Sequence, residues 1–506
     1  MTKLKRTSIA IFALNALFVC SVFAQYYNVP LTMEGLDHTS NSSALSKSMG
    51  GVTIPLQQNI SLMFANPAGF STIDGIQVSV GGTQTIATLK HTEQWYPMVY
   101  YGNISILMDG TVRNIDTSGM KHAIATPKWP GDTLRKPFDN IWPAWSHNQN
   151  KIQIPDVFVA MPLNIAGNKA SVGVGVSDYA NLDYFYRNNN TLSADFGLMI
   201  IPSTTGVKDS VRDNWSQSTH YRMGAIHSYG AAFSMVINDN FSAGISGRYL
   251  NGSSDDYDLN LGRGVVWVIG GQSSFAIWKL NAGYIRCDSV NYQSSLVGTS
   301  DYKGCEFTAS GTYRNKNVIV GFSITPPSTI TKKFSGKLTC DTAQTIDYKA
   351  SHYTCDTSFT EKMKLPIKIN LGIGFNVRSN VFIAAEYDYC PYSSAKLEKN
   401  GTTTEPWLDA STFHFGADWS PIDILAIRFG YRKQIETFHA EYSALNDPIK
   451  SNAYSLGVGV KCIPNLVLNI AYEYYERKYE DSWIYRYNVD MMTVNTLSAE
   501  LVYTLK

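Results

Sequence analysis

The C-terminal half of the sequence alternates between apolar residues and polar or small residues with a period of two. Side chains alternate between the two faces of a β-strand, so each segment of this kind is predicted to be a strand with one apolar face. The last such segment places Leu497, Ala499, Leu501, Tyr503 and Leu505 on one face. The same pattern occupies residues 367–375, 425–432, 454–461 and 466–475.

The connections between these strands distinguish a membrane barrel from a soluble sandwich. Short, turn-like breaks alternate with much longer polar stretches, as expected for an outer-membrane barrel with short periplasmic turns and long outer loops. The breaks are 166–168, 237–240, 314–316, 377–380, 420–423 and 463–465. The long stretches are 181–224, 328–360, 391–410, 436–451 and 479–494. Six turns join twelve strands, and one strand at each end brings the predicted total to about fourteen. The predicted class is therefore all-β, a transmembrane antiparallel β-barrel.

Composition excludes two other classes of protein. Charged residues make up only 16% of the chain, and its mean hydropathy is −0.14. A helical membrane protein needs runs of roughly 20 apolar residues, and the chain after its first 24 residues has none. The 42 Lys and Arg residues are balanced by 41 Asp and Glu residues. A nucleic-acid partner is not expected, because nucleic-acid-binding proteins carry a basic excess.

The first 24 residues are typical of a secretory signal peptide. Lys3, Lys5 and Arg6 precede an apolar stretch at 9–20, and Ala24 provides the small residue of a cleavage site. The stretch is short for a membrane anchor, which is the alternative interpretation. We therefore expect export, with the mature chain in a bacterial outer membrane.

Residues 25–75 lack sustained alternation and form a separate predicted unit before the barrel at 76–506. A segment of this length either hangs in the periplasm or folds into the barrel lumen. Its apolar residues favour burial, and hence an N-terminal hatch. These residues include Leu45, Met49, Val52, Leu62, Met63, Phe64 and Phe70.

One apolar segment, 264–285, does not fit the strand count. It is interrupted by Gln272, Ser273, Ser274 and Lys279. Two interpretations stay open, a helix packed in an outer loop and an extra hairpin that would raise the count to sixteen.

Two short motifs in the N-terminal unit resemble a known family. Met49-Gly50-Gly51 is followed by Phe64-Ala65-Asn66-Pro67-Ala68-Gly69-Phe70, directly before the first strand. They are similar to the hatch motifs of the FadL/TodX-type (OmpP1) outer-membrane transporters of long-chain fatty acids and other hydrophobic compounds. Segments 321–327 and 364–372 are similar to neighbouring strands of that family. The resemblance implies a fourteen-stranded barrel with a hatch in its lumen. It also implies passive uptake of hydrophobic molecules, gated by that hatch.

The hatch motif has a mechanical interpretation as well. Pro67 removes a backbone donor and Gly69 permits a positive φ angle, so the segment is predicted to form a defined turn that a ligand could shift. Asn66 could tie that turn to neighbouring backbone. The alternative is a turn that only docks the hatch. The proposed gating residues are Gly50, Gly51, Phe64, Asn66, Pro67, Ala68, Gly69 and Phe70.

Charged residues on the polar strand faces are expected to point into the lumen, since Arg or Lys on the lipid face costs about 2–4 kcal/mol at the midplane. Arg248, Arg428 and Lys461 could receive a carboxylate head group. The alternative is that they pair with acidic neighbours and brace the barrel interior. The other expected lumenal residues are Lys368, Glu386, Asp388, His414, Asp418, Arg432 and Glu473.

Three tryptophans mark a possible capture site for hydrophobic ligands in the first long loop. Trp129, Trp142 and Trp145 lie near Phe138 and Ile141. An exposed apolar cluster can bind hydrophobic molecules. The cluster could instead cap the barrel rim or join an interfacial aromatic belt.

Cys340 and Cys355 lie in one polar stretch and are expected to form a disulfide in an oxidising compartment. A bridge closing a loop of this length would stabilise the fold by about 3 kcal/mol.

No catalytic or cofactor site is expected. Asp255, Asp256, Asp258 and Asn260 lack the spacing of a calcium loop, and His414 has no Gly-x-Ser-x-Gly partner motif. The expected partners are fatty acids or aromatic hydrocarbons, together with outer-membrane lipid and lipopolysaccharide. The competing hypothesis is a barrel that serves as a scaffold or partner of an outer-membrane secretion machine.

Overall fold

The computed structural model describes most of the chain. The described residues are 30–37, 43–95, 144–153, 155–189, 195–200, 210–269, 284–288, 292–342, 350–440, 448–483 and 486–505. Helical structure within them is confined to short pieces. These are helix α1 (Ala44–Ser48) and 3₁₀ turns at Leu31–Glu34, Ile60–Leu62, Pro67–Phe70 and Tyr392–Ser394. None of the helices in this part of the chain is long and apolar enough to cross a membrane.

Antiparallel strands make up the rest of the described chain. They are β1 (Ile76–Trp95), β2 (Trp145–Ile152), β3 (Asp156–Ile165), β4 (Asn168–Asn181), β5 (Tyr184–Asn189), β6 (Asp195–Ile200), β7 (Ser210–Val236), β8 (Phe241–Ile269), β9 (Tyr284–Asp288), β10 (Tyr292–Arg314), β11 (Val318–Thr325), β12 (Ser328–Thr342), β13 (Ser351–Leu365), β14 (Lys368–Arg378), β15 (Val381–Cys390), β16 (Lys396–Lys399), β17 (Thr402–Thr404), β18 (Ala410–Ile422), β19 (Leu425–His439), β20 (Pro448–Ile463), β21 (Leu466–Trp483) and β22 (Arg486–Leu505).

These segments form a closed barrel. Several successive segments share one position in the wall, namely β2 with β3, β4 with β5 and β6, β9 with β10, β11 with β12, β13 with β14, β15 with β16, and β17 with β18. Counted in this way, the described segments make fourteen wall strands, as the sequence predicts. The barrel closes where β1 pairs with β22, from Ile76 opposite Leu505 to Trp95 opposite Arg486.

All six predicted short turns are confirmed at one end of the barrel. β3 and β4 are joined at 166–167, β7 and β8 at 237–240, and β10 and β11 at 315–317. The remaining three lie between β14 and β15, β18 and β19, and β20 and β21. The other end carries the longer connections, and we call it the long-loop end.

Part of the sequence predicted as long loops is in fact strand. Residues 328–342 and 351–360 form β12 and most of β13, and much of 181–224 belongs to β5, β6 and β7. Their polar sequences mislead because a strand outside the membrane needs no apolar face. The apolar segment 264–285, which did not fit the strand count, is described only at its two ends. Residues 264–269 are the last residues of β8, and residues 284–285 are the first residues of β9, which pairs with β8. Residues 270–283 lie outside the described part.

The two faces of the wall differ in polarity as the alternation predicts. On β22, Leu497, Leu501 and Leu505 are exposed on the outside, whereas Ser498 and Glu500 are buried inside. Large apolar side chains are exposed around the whole circumference. They include Val174, Tyr229, Ile245, Phe307, Phe322, Leu371, Phe413, Phe429 and Leu456. We call this band the apolar belt.

Candidate functional site

The barrel lumen is occupied by the chain's own residues 43–75, which we call the lumenal segment. Helix α1 packs against β19 to β22, and the turn Pro67–Phe70 packs against β7, β8 and β10. Met49, Ile54 and Met63 are completely buried. The lower boundary of the predicted hatch, residue 25, lies outside the described residues and stays a prediction.

A carboxylate on the barrel wall holds the middle of this segment. Glu386 of β15 is 1% exposed, and its carboxylate oxygens accept hydrogen bonds from the backbone N–H groups of Thr53 at 2.6 Å and Ile54 at 2.7 Å. The Thr53 hydroxyl donates a third hydrogen bond at 2.7 Å. A buried donor left without a partner costs about 1–3 kcal/mol, so three hydrogen bonds to one buried carboxyl group make Glu386 a strong anchor.

His414, on the neighbouring strand β18, makes a second contact with the segment. Its Nδ1 lies 2.7 Å from the carbonyl oxygen of Gly50, and its Nε2 lies 3.2 Å from Asp388. Since Nδ1 can only donate to a carbonyl, this ring carries its proton there. His414 therefore links the hatch motif to the same group of wall residues as Glu386.

A second wall carboxylate, Glu500 of β22, anchors the start of the segment. It accepts hydrogen bonds from the hydroxyls of Ser61 and Ser43 and from the backbone N–H of Leu45. Close by, Lys47 donates hydrogen bonds to hydroxyls on β1 and β22. Burial lowers the pKa of the Lys47 ammonium, so the charge is held here at a cost. Sequence reasoning did not single out Glu500 or Lys47.

The two glycines of the hatch motif are required by backbone shape and by space. Gly50 and Gly51 adopt φ angles of 70° and 86°, a region that residues with a side chain rarely occupy. A Cβ atom on Gly430 of β19 would lie 1.9 Å from the backbone nitrogen of Gly50. Segment and wall therefore meet backbone to backbone at this point.

The predicted turn at 66–69 is present, although one reason given for it is wrong. Asn66 is buried, and its side-chain amide donates a 2.8 Å hydrogen bond to the carbonyl of Ile54, which ties the turn to the stretch held by Glu386. Gly69 does not have a positive φ angle. A Cβ atom there would instead lie 2.9 Å from the carbonyl oxygen of Leu56, so glycine is needed for close packing.

The remaining motif residues fix the turn to the opposite wall. Ala68 donates its backbone N–H to Ser310 at 2.7 Å, and a Cβ atom on Gly244 would meet the Pro67 backbone at 2.5 Å. Phe64 packs against Phe158 with ring centroids 5.9 Å apart. Phe70 is completely buried. The structure thus brings all eight predicted gating residues into the lumen.

Towards the long-loop end, the lumen contains a buried apolar cluster that the sequence did not reveal, and we call it the apolar chamber. Its buried lining includes Tyr179, Leu182, Leu250, Tyr302, Met363 and Trp407. Leu31 and Leu36, from the described stretch 30–37, fill it. These side chains form one apolar cluster enclosed by the barrel wall.

Arg222 holds this stretch in place. The residue is 1% exposed, and its guanidinium donates hydrogen bonds to the carbonyls of Thr32 at 2.9 Å and Met33 at 2.8 Å. It also donates to the carbonyl of Leu182 at 2.7 Å, in the wall. A buried arginine that is fully engaged in this way positions Leu31 and Leu36 in the chamber.

A small polar cavity of about 70 Å³ separates the lumenal segment from the wall near β14, β15 and β18. Its lining includes Arg248, Lys368, Asp388 and His414, together with Phe64 of the segment. This space is large enough for a few water molecules and is too small for a fatty acid.

Two of the three proposed head-group receptors are already paired. Arg248 donates to Glu306 and lies over the ring of Tyr179, with 4.6 Å from its guanidinium carbon to the centroid. Arg428 donates to Asp418 at 2.7 Å and to Asn469 at 2.8 Å. This arrangement corresponds to the alternative in which the charges brace the interior.

The third proposed receptor is separate from the others. Lys461 is exposed at the short-turn end, where its backbone N–H donates to the carbonyl of Ile424 at 2.9 Å. Arg432 and Glu473 form a further buried pair at 2.9 Å, as their polar strand faces suggest. The structure does not bring Arg248, Arg428 and Lys461 into one site.

The wall contains a seam between β2 and the neighbouring strands β4 and β5. β3 and β4 pair up to Val157 opposite Val176, but the described residues of β2 form backbone pairs only with β1. Side chains close the gap instead. Lys151 donates hydrogen bonds to Asn181 at 2.7 Å and Asp183 at 3.1 Å.

Trp145 is part of this seam. Its indole N–H donates to the carbonyl of Arg187 at 2.7 Å, and its ring meets that of Phe185 edge-on at 4.9 Å. It also stacks on His91. The other two tryptophans of the predicted capture cluster, Trp129 and Trp142, lie outside the described residues.

The predicted disulfide is not present. Cys340 and Cys355 are free thiols on the adjacent strands β12 and β13. Cys340 lies opposite Tyr353, and Cys355 lies opposite Leu338. The two cysteines are therefore offset by two positions, and diagonal neighbours in a sheet are about 7–8 Å apart.

Sequence and structure comparisons place this architecture among known proteins. A model of the BamG family matches residues 146–484, which is about two thirds of the chain. The chain belongs to the BamG family. No curated protein is detectably similar to it in sequence.

Solved structures similar to this BamG-family barrel share its fold at low sequence identity. A Pseudomonas aeruginosa FadL homologue has a TM-score of 0.58 and 14% identity, over 92% of this chain and 99% of that one. The P. putida toluene transporter TodX gives 0.53 and 12%, over 92% and 99%. The Ralstonia pickettii toluene transporter TbuX gives 0.50 and 11%, over 93% and 100%. The barrel therefore has the FadL/TodX-type fold.

Proposed function

We propose that this chain is an outer-membrane channel for the passive uptake of hydrophobic molecules, with long-chain fatty acids as the first substrate class to test. In this proposal the lumenal segment is the gate. The observation that carries the proposal is the apolar chamber inside the barrel, whose present contents are two leucines of the chain itself.

Placement in a membrane follows from the outer surface. The apolar belt exposes large side chains around the whole barrel, and a surface of that extent is stable in contact with lipid rather than water. Charged side chains at the level of the belt, such as Arg428 and Arg432 of β19, point into the lumen, where they are paired. The signal peptide expected at 1–24 would direct the chain to this destination.

The chamber supplies the binding step. Displacing Leu31 and Leu36 would open a space lined by Leu182, Leu250 and Trp407, and apolar surface of that kind contributes about 25 cal/mol per Å² buried. The ligand would replace an intramolecular apolar contact by an intermolecular one, so the wall itself need not change shape.

The seam offers an exit into the membrane. It is held by side chains such as Lys151 and Trp145 instead of a continuous backbone ladder, so it can open at a lower cost than the rest of the wall. A hydrophobic molecule leaving there would avoid the polar cavity near His414. The toluene transporters TodX and TbuX, which have the same fold, support hydrophobic cargo as a class.

Complementation tests the proposal. The chain is expressed in a bacterium that lacks its own fatty-acid channel, and uptake of labelled oleate is followed while surface protease accessibility verifies an inserted barrel. Wild type should restore uptake, and Asn66→Ala, which unties the turn from Ile54, should change the rate without loss of folded protein. Lack of uptake from a correctly inserted wild-type barrel would overturn transport of fatty acids.

A second function is favoured by a different observation. The lumen is braced by ion pairs between wall strands, Arg428 with Asp418 and Arg432 with Glu473. A barrel held closed in this way would suit a scaffold or partner of an outer-membrane secretion machine. An inserted barrel that transports no oleate or toluene but co-purifies with a stoichiometric outer-membrane partner would favour this role.

A further inference from the structure

A group of lysines lies on the outer surface of the barrel, directly beyond the apolar belt. Residues opposite each other in a sheet share a face. One row runs across the wall from Lys303 through Thr331 to Lys362, and the next from Thr329 through Lys364 to Lys396. The four lysines Lys303, Lys362, Lys364 and Lys396 form the group that we call the lysine patch.

The direction of these side chains is fixed by their neighbours. On β10, Tyr302 is completely buried in the lumen, so Lys303 points outwards, and it is exposed. Phe307 has the same direction and is 66% exposed in the apolar belt. Lys303 and Phe307 are four positions apart along the strand, about 13 Å. The patch therefore begins where the belt ends, towards the long-loop end.

Nearby acidic groups neutralise only part of the patch. Lys364 pairs with Glu398, and Lys396 lies 3.6 Å from Glu405. Lys303 and Lys362 form no ion pair with any residue in the described part of the chain. Asp301, on the same face of β10 as Lys303, is also exposed and lies opposite the exposed Lys333. Three acidic groups against five lysines leave a net positive surface next to a band of exposed apolar side chains.

The geometry points to the lysine patch as a binding site for the phosphate groups of a membrane lipid such as lipid A, whose acyl chains lie against the apolar belt. Lysine stems can lie along acyl chains while their ammonium groups reach the head-group level. Each basic residue near an anionic membrane surface contributes about 1 kcal/mol. A soluble anion would gain nothing from the belt, and this difference favours a lipid.

This inference rests on the membrane placement proposed above and is independent of transport. Its test uses the full chain purified in detergent, with binding of diphosphorylated lipid A compared with that of dephosphorylated lipid A. The patch variant is Lys303→Gln/Lys362→Gln/Lys396→Gln, which keeps the Lys364–Glu398 pair. The matched control removes three exposed lysines at the short-turn end, as Lys169→Gln/Lys316→Gln/Lys461→Gln.

We expect wild type to bind the phosphorylated lipid at least about ten times more tightly than the dephosphorylated lipid. The patch variant should lose that preference, and the control should keep it. Equal binding of both lipids by wild type would overturn the inference whether or not the variants fold. Displacement of the lipid by inorganic phosphate at millimolar concentration would overturn it in favour of a free-anion site. Equal loss in both variants would also overturn it, since net charge alone would then explain the binding.

Discussion

The carboxylate of Glu386 lies 2.6 Å from the backbone nitrogen of Thr53, although the two residues are 333 positions apart in the sequence. This contact joins the barrel wall to the middle of the lumenal segment. Ile54 donates to the same oxygen, and its carbonyl accepts from Asn66. The carboxyl group of one wall residue therefore supports two turns of the lumenal segment, the one after Gly51 and the one at Asn66.

Glu386→Gln should loosen the lumenal segment and leave the wall intact. The single oxygen of the amide can still accept from both N–H groups, but the amide presents an NH2 group in place of the oxygen that accepts from the Thr53 hydroxyl, so the anchor should weaken by about 1–3 kcal/mol. Hydrogen exchange in peptides covering 50–56 should become faster, and exchange in β22 should not change. Glu480→Gln, at an exposed position on β21, is the control. Unchanged exchange at 50–56 would contradict the anchoring role.

Gly430→Ala should displace the segment by steric conflict. The added methyl group would lie 1.9 Å from the nitrogen of Gly50, and overpacking of this kind costs about 1–3 kcal/mol. Gly82→Ala is the matched control, since a Cβ atom at Gly82 meets nothing within 4 Å. The melting temperature of the detergent-solubilised barrel should fall for Gly430→Ala only. Equal melting temperatures for both variants would argue against the backbone contact.

Leu31→Ala/Leu36→Ala should make the apolar chamber more accessible to ligand. The substitutions remove most of the side-chain volume that fills it, and each buried Leu→Ala change costs roughly 2–5 kcal/mol. A fluorescent fatty-acid analogue should bind more tightly to this variant than to wild type. Leu456→Ala, in the apolar belt, serves as the control and should bind like wild type. Weaker binding by the double variant would mean that the leucines do not compete with ligand.

Lys151→Met should weaken the seam. The substitution keeps an apolar stem but removes the hydrogen bonds to Asn181 and Asp183. Backbone amides of 176–183 should exchange faster, because side chains hold this edge and no strand ladder from β2 replaces them. Lys169→Met, at an exposed position beside a short turn, should leave that exchange unaffected. Protection equal to wild type in both variants would indicate that the seam is held by other contacts.

The alternation of apolar and polar residues predicts the barrel well, because side chains along a β-strand point to alternate faces with the same period of two. The turn at 166–167 and the outward direction of Leu497 follow from short-range chemistry, and both are confirmed. The parts of the strands that extend beyond the membrane were predicted to be loops, because they lack this alternation. In β12, Lys333 and Lys337 face water, so no apolar alternation marks the strand.

The site is less predictable because its contacts join distant parts of the chain. Gly50, Asn66 and Pro67 could be singled out from a motif, whereas their partners could not. Nothing in the sequence near Glu500 indicates that it binds Ser61, 439 residues away. Arg222 and the chamber around Leu31 depend on several strands at once, and only their assembly in the barrel creates the site.

A reversible disulfide between the lumenal segment and the wall tests most directly whether this segment gates the barrel. The hydroxyls of Ser61 in the segment and Ser79 in β1 are 2.8 Å apart, so Ser61→Cys/Ser79→Cys should form a disulfide across the gap. Oleate uptake is measured in the oxidised and reduced states, with each single cysteine variant as a control. The account predicts that uptake stops when the bond forms and returns on reduction. Equal uptake in the locked and unlocked states would contradict a segment that gates the barrel.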